Sequence, residues 1–108
     1  MEDTLVGWSP SETEIAKKAF EIAYKRELST LISAVKDRVN NIQEVEDIWR
    51  LHDLLSTKRY ELDGKYDYHC PQLVLIFAGL VKDGWLSIDE LDGLDQDKIV
   101  KINLLSKM

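Results

Sequence analysis

The stretch DIWRLHDLLSTKRYELDG, Asp47 to Gly64, crowds four chemically capable side chains onto one segment: Trp49, His52, Asp53 and Arg59. Histidine beside aspartate is an acid–base pair of residue types. Neighbours in a helix diverge by about 100°, however, so spacing alone does not let one orient the other for proton transfer. Tryptophan and arginine are the residues most enriched at the energetic centres of protein interfaces, and an aspartate nearby supplies a charged hydrogen bond or holds the arginine in place. Asp53 and Arg59 are six residues apart and do not face each other within one helix. Their cooperation needs another helix, another subunit or a partner.

Other candidates for chemistry are weaker. Cys70 directly follows His69, with no second cysteine and no evident base arrangement, so nucleophilic catalysis has little support. Two histidines and one cysteine lack zinc-ligand spacing, and no metal site is expected. DELDGLDQD is rich in carboxylates, but an EF-hand register counted back from Gly93 puts Ile88 where the first aspartate belongs. Two capped helix starts account for it better. No glycine-rich phosphate loop is present, and neither a catalytic residue nor a cofactor is expected.

The chain of 108 residues suits one domain with a modest core, and its 44% hydrophobic and 31% charged residues are an ordinary globular mixture. A formal charge of −6 argues against general nucleic-acid binding, which needs a basic surface. LVLIFAGLV is far shorter than the roughly 18–20 residues of a membrane span. The acidic start MEDTLVGW lacks the regions of a secretory signal, and a single cysteine excludes an internal disulfide and fits a reducing compartment.

The elements that must position the cluster are helices. Ser9, Pro10 and Glu12 form a capping signature, and apolar residues then recur at helical spacing through Ile15, Ala19, Ile22, Ala23, Leu28, Ile32, Val35 and Val39. This predicts one helix of about thirty residues, about 45 Å long, ending at Asn40-Asn41. Asn41 and Glu44 have capping-box spacing for a second helix reaching about Leu62, with Gly64 able to end it in the left-handed conformation. Two long helices and a short turn make an antiparallel hairpin. A lone hairpin leaves apolar stripes uncovered, so Leu28, Ile32, Val35 and Val39 are the expected seam of a homodimer. PQLVLIFAGLVKDG reads as a buried helix with Pro71 at its start and Gly84 at its stop. SIDE (Ser87 to Glu90) caps a short helix, and Asp95 caps the last one. The fold expected is all-α within one folding unit over 1–108, a stalk over about 10–64 and a helical head over about 65–108.

On a helical wheel Ile48, Leu51, Leu54, Leu55 and Leu62 share one broad side. Trp49, His52, Asp53, Ser56 and Tyr60 occupy the opposite side, with Arg59 at its border. Two readings stay open from the residues alone. Trp49 could cover a second apolar contact with Ile42 and Val45 inside a four-helix assembly, with His52 a bystander and Arg59 paired to an acid. Alternatively, the cluster is kept outside for a partner.

The segments DIWRLHDLLSTKRYELDGKYD and GWLSIDELDGLDQDK are long and compositionally unusual. On these the chain resembles the cyanobacterial fluorescence recovery protein family, from about Trp8 to the last helix. The resemblance implies a helical dimer that binds the photoactivated orange carotenoid protein, chiefly through that protein's C-terminal domain. It further implies faster return from the red, quenching form to the orange form, detachment from the phycobilisome and restored antenna fluorescence. The family's functional tryptophan, histidine, aspartate and arginine fall on Trp49, His52, Asp53 and Arg59, and Lys101 corresponds to a lysine of the last helix linked to activity. A cytoplasmic protein is implied, with the cytoplasmic face of the thylakoid membrane as a place where it could associate. A helical adaptor for a different protein target is the alternative.

Overall fold

The computed structural model describes residues 7–66 and 72–108, so His69, Cys70 and Pro71 lie outside the described residues. Helix α1 spans Pro10–Asn40, α2 Val45–Lys65, α3 Leu73–Lys82 and α4 Gln96–Ser106, with a 3₁₀ turn at Ile88–Leu91 between the last two. The fold is all-α, with no strand among the described residues.

Helix α1 begins as its sequence signature requires. The Glu12 N–H donates to Ser9 Oγ at 3.1 Å, and the Ser9 N–H donates back to Glu12 Oε1 at 2.9 Å. The first half of α1 is lined by Ala16, Ala19, Phe20 and Ala23, all buried. Against these alanines and Phe20, the larger side chains of Phe77, Leu80, Leu91 and Ile102 fill the core at 0% exposure. Phe20 packs against Phe77 with ring centroids 4.9 Å apart and the rings tilted by 54°. The core thus joins the N-terminal half of α1 to the C-terminal helices, while the second half of α1 projects beyond it.

Helix α3 stops in a Schellman motif. Gly84 takes φ +85°, the Gly84 N–H donates to the Val81 carbonyl, and the Trp85 N–H donates to the Leu80 carbonyl. Ser87 and Glu90 cap the 3₁₀ turn as read from SIDE. Asp95 stands at the N-cap of α4, though its side chain makes no capping bond.

Two expectations about the hairpin need correction. Asn41 closes α1 instead of opening α2: its Nδ2 donates back to the Asp37 carbonyl at 2.8 Å. Helix α2 opens instead at Glu44, where the Asp47 carboxylate accepts from the Gln43 and Glu44 N–H groups and is held below the ordinary aspartate range by those two bonds. Gly64 does not stop α2; the helix continues through it to Lys65. The reason is tertiary. Lys65 Nζ and Tyr66 Oη both donate to the Glu27 carboxylate of α1, at 2.9 and 2.8 Å, and these bonds draw the last turn on.

Those bonds tie the end of α2 back to the middle of α1, as the short turn's antiparallel hairpin requires. A cleft of about 230 Å³ runs between the long helices, with Glu27, Thr30, Leu31 and Ala34 on one wall and Leu54, Lys58 and Leu62 on the other. Trp85, from the turn after α3, lines it as well. Leu62 is the one buried residue of α2.

Candidate partner-binding site

Helix α2 is amphipathic in an unusual proportion. Its inner side supplies Leu54, Lys58 and Leu62 to the cleft, and the fold takes little else from it. On the far side, at about 180° by helical geometry, stand Trp49, Asp53, Ser56 and Tyr60, all exposed. Trp49 is 56% exposed, a large apolar area outside the core of its own chain. The Asp53 and Arg59 side chains are 82% and 87% exposed.

The local geometry settles several pairings. His52 Nδ1 lies 3.4 Å from Asp53 Oδ1, so the two side-chain tips approach each other although their backbone directions diverge. Side-chain rotation at the Cβ atoms closes the angle that the helix opens. At 3.4 Å on an exposed face the contact is weak. Arg59 turns to Asp63, one helical turn further on, with Nε 3.9 Å from Oδ2, and not to Asp53. The arginine fork therefore stays largely unused within the chain. Asp63 as its neighbour was readable from the i,i+4 spacing. The structure thus gathers Trp49, His52 and Asp53 on one side of α2 with Arg59 beside them. Lys101 stands on a different element, exposed on α4.

The seam residues lie on α1 about a third of a turn away from the wall that meets α2. Ile32 is 54% exposed, Val39 is exposed, and Leu28 and Val35 are half-buried. On α2, Ile48 and Leu55 are exposed apolar residues as well.

Three polar clasps were not foreseen. Glu12 is buried, and its Oε2 accepts from the Asp95 N–H at 2.8 Å while Lys98 Nζ sits 3.2 Å from both oxygens. Burial alone would raise its pKa, but bonds from the Asp95 and Ser9 N–H groups and from Lys98 outweigh that and lower it. Arg26 grips Glu90 with two bonds of 2.7 and 2.8 Å and donates a third to the Trp85 carbonyl at 2.9 Å. That fork, helped by the Ser87 N–H, pushes the Glu90 carboxyl down to about 2. Glu27 receives Lys65 and Tyr66; burial, and then the bond to Glu27, push the Tyr66 phenol far above its ordinary range. The capping box announced one role of Glu12, but nothing in the local sequence announced its partners 83 and 86 residues away.

The described residues contain no group of three His, Cys, Asp or Glu side chains that could hold a metal ion. No helix is long and apolar enough to cross a membrane among the described residues. An all-helical chain that keeps an indole, a carboxylate and an arginine fork outside its core has the make-up of an interaction protein.

The chain belongs to the family described as photoprotection regulator fluorescence recovery protein, whose model matches residues 8–106. It is 42% identical over 101 residues to the fluorescence recovery protein of Synechocystis sp. PCC 6803, covering 94% of this chain and 93% of that one. The solved structure of the Fremyella diplosiphon fluorescence recovery protein is 57% identical and superposes with a TM-score of 0.88, covering 94% of this chain and 99% of the other. The Synechocystis structure, at 42% identity, also gives a TM-score of 0.88 with the same coverage.

Proposed function

We propose that this regulator binds the photoactivated orange carotenoid protein, mainly its C-terminal domain, speeds its red-to-orange reversion and promotes its detachment from the phycobilisome. The observation that carries the reading is the outer face of α2. Trp49, Asp53 and Arg59 are exposed and spend almost none of their bonding capacity on the fold. His52 belongs to the same face, and Lys101 on α4 is a further contact in this reading. Exposed residues that the fold does not need are available to a partner, and indole with guanidinium suits an interface centre.

The mechanism is differential binding, with no covalent step. Acceleration requires that the transition state for reversion be bound more tightly than the red state. Detachment requires preference for the form of the partner that holds the antenna poorly. The active molecule in this reading is a cytoplasmic homodimer. Two facing copies of Leu28, Ile32, Val35 and Val39 would remove from water an apolar stripe that one hairpin leaves open.

The test compares Trp49→Leu, Asp53→Leu, Arg59→Leu and Arg59→Lys with the parent. Recovery of photoconverted carotenoid protein is followed in darkness, beside circular dichroism and sedimentation. Exposed positions should shift folding stability by no more than about 0.5 kcal/mol. Lost contacts worth about 1.4 kcal/mol or more in the complex should slow recovery tenfold or more at limiting protein. Arg59→Lys should be impaired as well, because an ammonium cannot reproduce the fork. Parental rates in all four variants would defeat the proposal.

A further inference from the structure

The patch is carried by a helix that the rest of the fold holds at few points. Leu62 is its one buried residue, and the Glu27 clasp grips only its last turn. Upstream of Leu62 the two long helices are separated by the cleft, whose walls are Thr30, Leu31 and Ala34 against Leu54 and Lys58. Among the described residues, one from outside the hairpin lines that cleft with both helices, and it is Trp85.

Trp85 is held where it is by α1. Arg26 Nη1 donates to the Trp85 carbonyl at 2.9 Å, while the same guanidinium grips Glu90 at 2.7 and 2.8 Å. Glu90 is in turn tied to the Ser87 N–H at 3.0 Å, so the whole segment from Trp85 to Glu90 is fastened to one arginine. A planar fork that meets three oxygens at once fixes direction as well as distance, which a point charge would not. Arg26 thus ties α1 to the main chain of Trp85, and Trp85 lines the same cleft as Leu54, Lys58 and Leu62 on the inner wall of α2.

We propose that Arg26 is a positioning residue for α2: by holding Trp85 at the cleft between the long helices, it sets the stance of the helix that presents Trp49, Asp53 and Arg59. Its consequence for binding rests on the partner reading above; its consequence for helix spacing does not. Arg26 itself lies on α1 and has no place in the proposed patch.

The experiment measures both consequences. Spin labels are placed at Ser33 on α1 and Thr57 on α2, both exposed, in a Cys70→Ser background diluted with unlabelled protein. The distance distribution is recorded for the parent, Arg26→Gln, Glu90→Gln and Arg26→Lys. Glu90→Gln keeps an oxygen for the Ser87 N–H while removing the charge, and so stands as a second probe should Arg26→Gln lose helicity. The Gln variants should show a broader, longer distribution and severalfold slower recovery of the carotenoid protein, with Arg26→Lys restoring part of each. An unchanged distribution in both Gln variants would overturn the proposal. Altered spacing with parental recovery rates would overturn the positioning role. A parent that leaves the carotenoid protein unaffected would refute the partner reading, and the label distances would still decide whether Arg26 sets the spacing.

Discussion

Replacement of Glu12 by glutamine should weaken the protein far more than its place in the first turn of a helix suggests. The carboxylate is buried at 5% exposure and accepts from the Ser9 N–H, the Asp95 N–H and the Lys98 ammonium. Glutamine keeps one carbonyl oxygen, so it serves one N–H and turns an amide toward the other. Lys98, with a side chain only 16% exposed, loses its main counter-charge and keeps the weaker company of Asp95 at 3.8 Å and the Trp8 ring face at 5.0 Å. Each hydrogen bond to a charged group is worth about 1.5–3 kcal/mol, and breaking one partner out of a buried pair costs about 3–5 kcal/mol. Because the lysine can move partly toward water, a loss of about 3 kcal/mol is expected. That is a large part of the roughly 5–15 kcal/mol that stabilises an ordinary domain. It corresponds to a melting temperature lower by on the order of 15 °C for a chain of this size.

The pH dependence gives a second, independent reading. The folded-state pKa of Glu12 is lowered, so its stabilisation is complete above the ordinary carboxylate value. It is lost as pH falls from there through the lowered folded value. Glu90 has the same sign, and its share disappears between the ordinary range and about 2. Thermal and denaturant melts at constant protein concentration, from pH 7 down to about pH 3, measure both effects, with stability in the parent falling below about pH 4.5. Glu12→Gln should start lower at pH 7 and fall less steeply on acidification. A variant that melts within about 2 °C of the parent and keeps the full acid slope would refute the reasoning, since about 3 kcal/mol cannot hide in so small a shift.

Gly93→Ala should destabilise by about 1–3 kcal/mol, because φ +104° is strained for any residue with a Cβ. The new Cβ would also sit 2.6 Å from Ile15 Cδ1, so chemical denaturation should show the loss, and a parental midpoint would contradict it. Ile32→Glu should give monomers in sedimentation, since a charge in the desolvated seam of a dimer would cost several kcal/mol per copy. An unchanged assembly would place the seam elsewhere.

Sequence by itself determined the helical class, the starts of α1 and the 3₁₀ turn, the glycine stop of α3 and the two-sidedness of α2. Each rests on interactions within about five residues, or on a 3.6-residue period, and both are written in local order. The outward cluster was legible for the same reason: a wheel separates Trp49 and Asp53 from Leu54 and Leu62 with no knowledge of neighbours. Only the tertiary structure decided where α2 ends, because Gly64 is a plausible stop until Glu27 of α1 reaches Lys65 and Tyr66. It alone turned Glu12 from a cap into a buried junction with α4, and Arg26 from a surface cation into the fastening of Trp85. Those bonds join residues 38 to 86 positions apart. No local propensity encodes such pairings, because the partners meet only after the apolar core has brought their helices together.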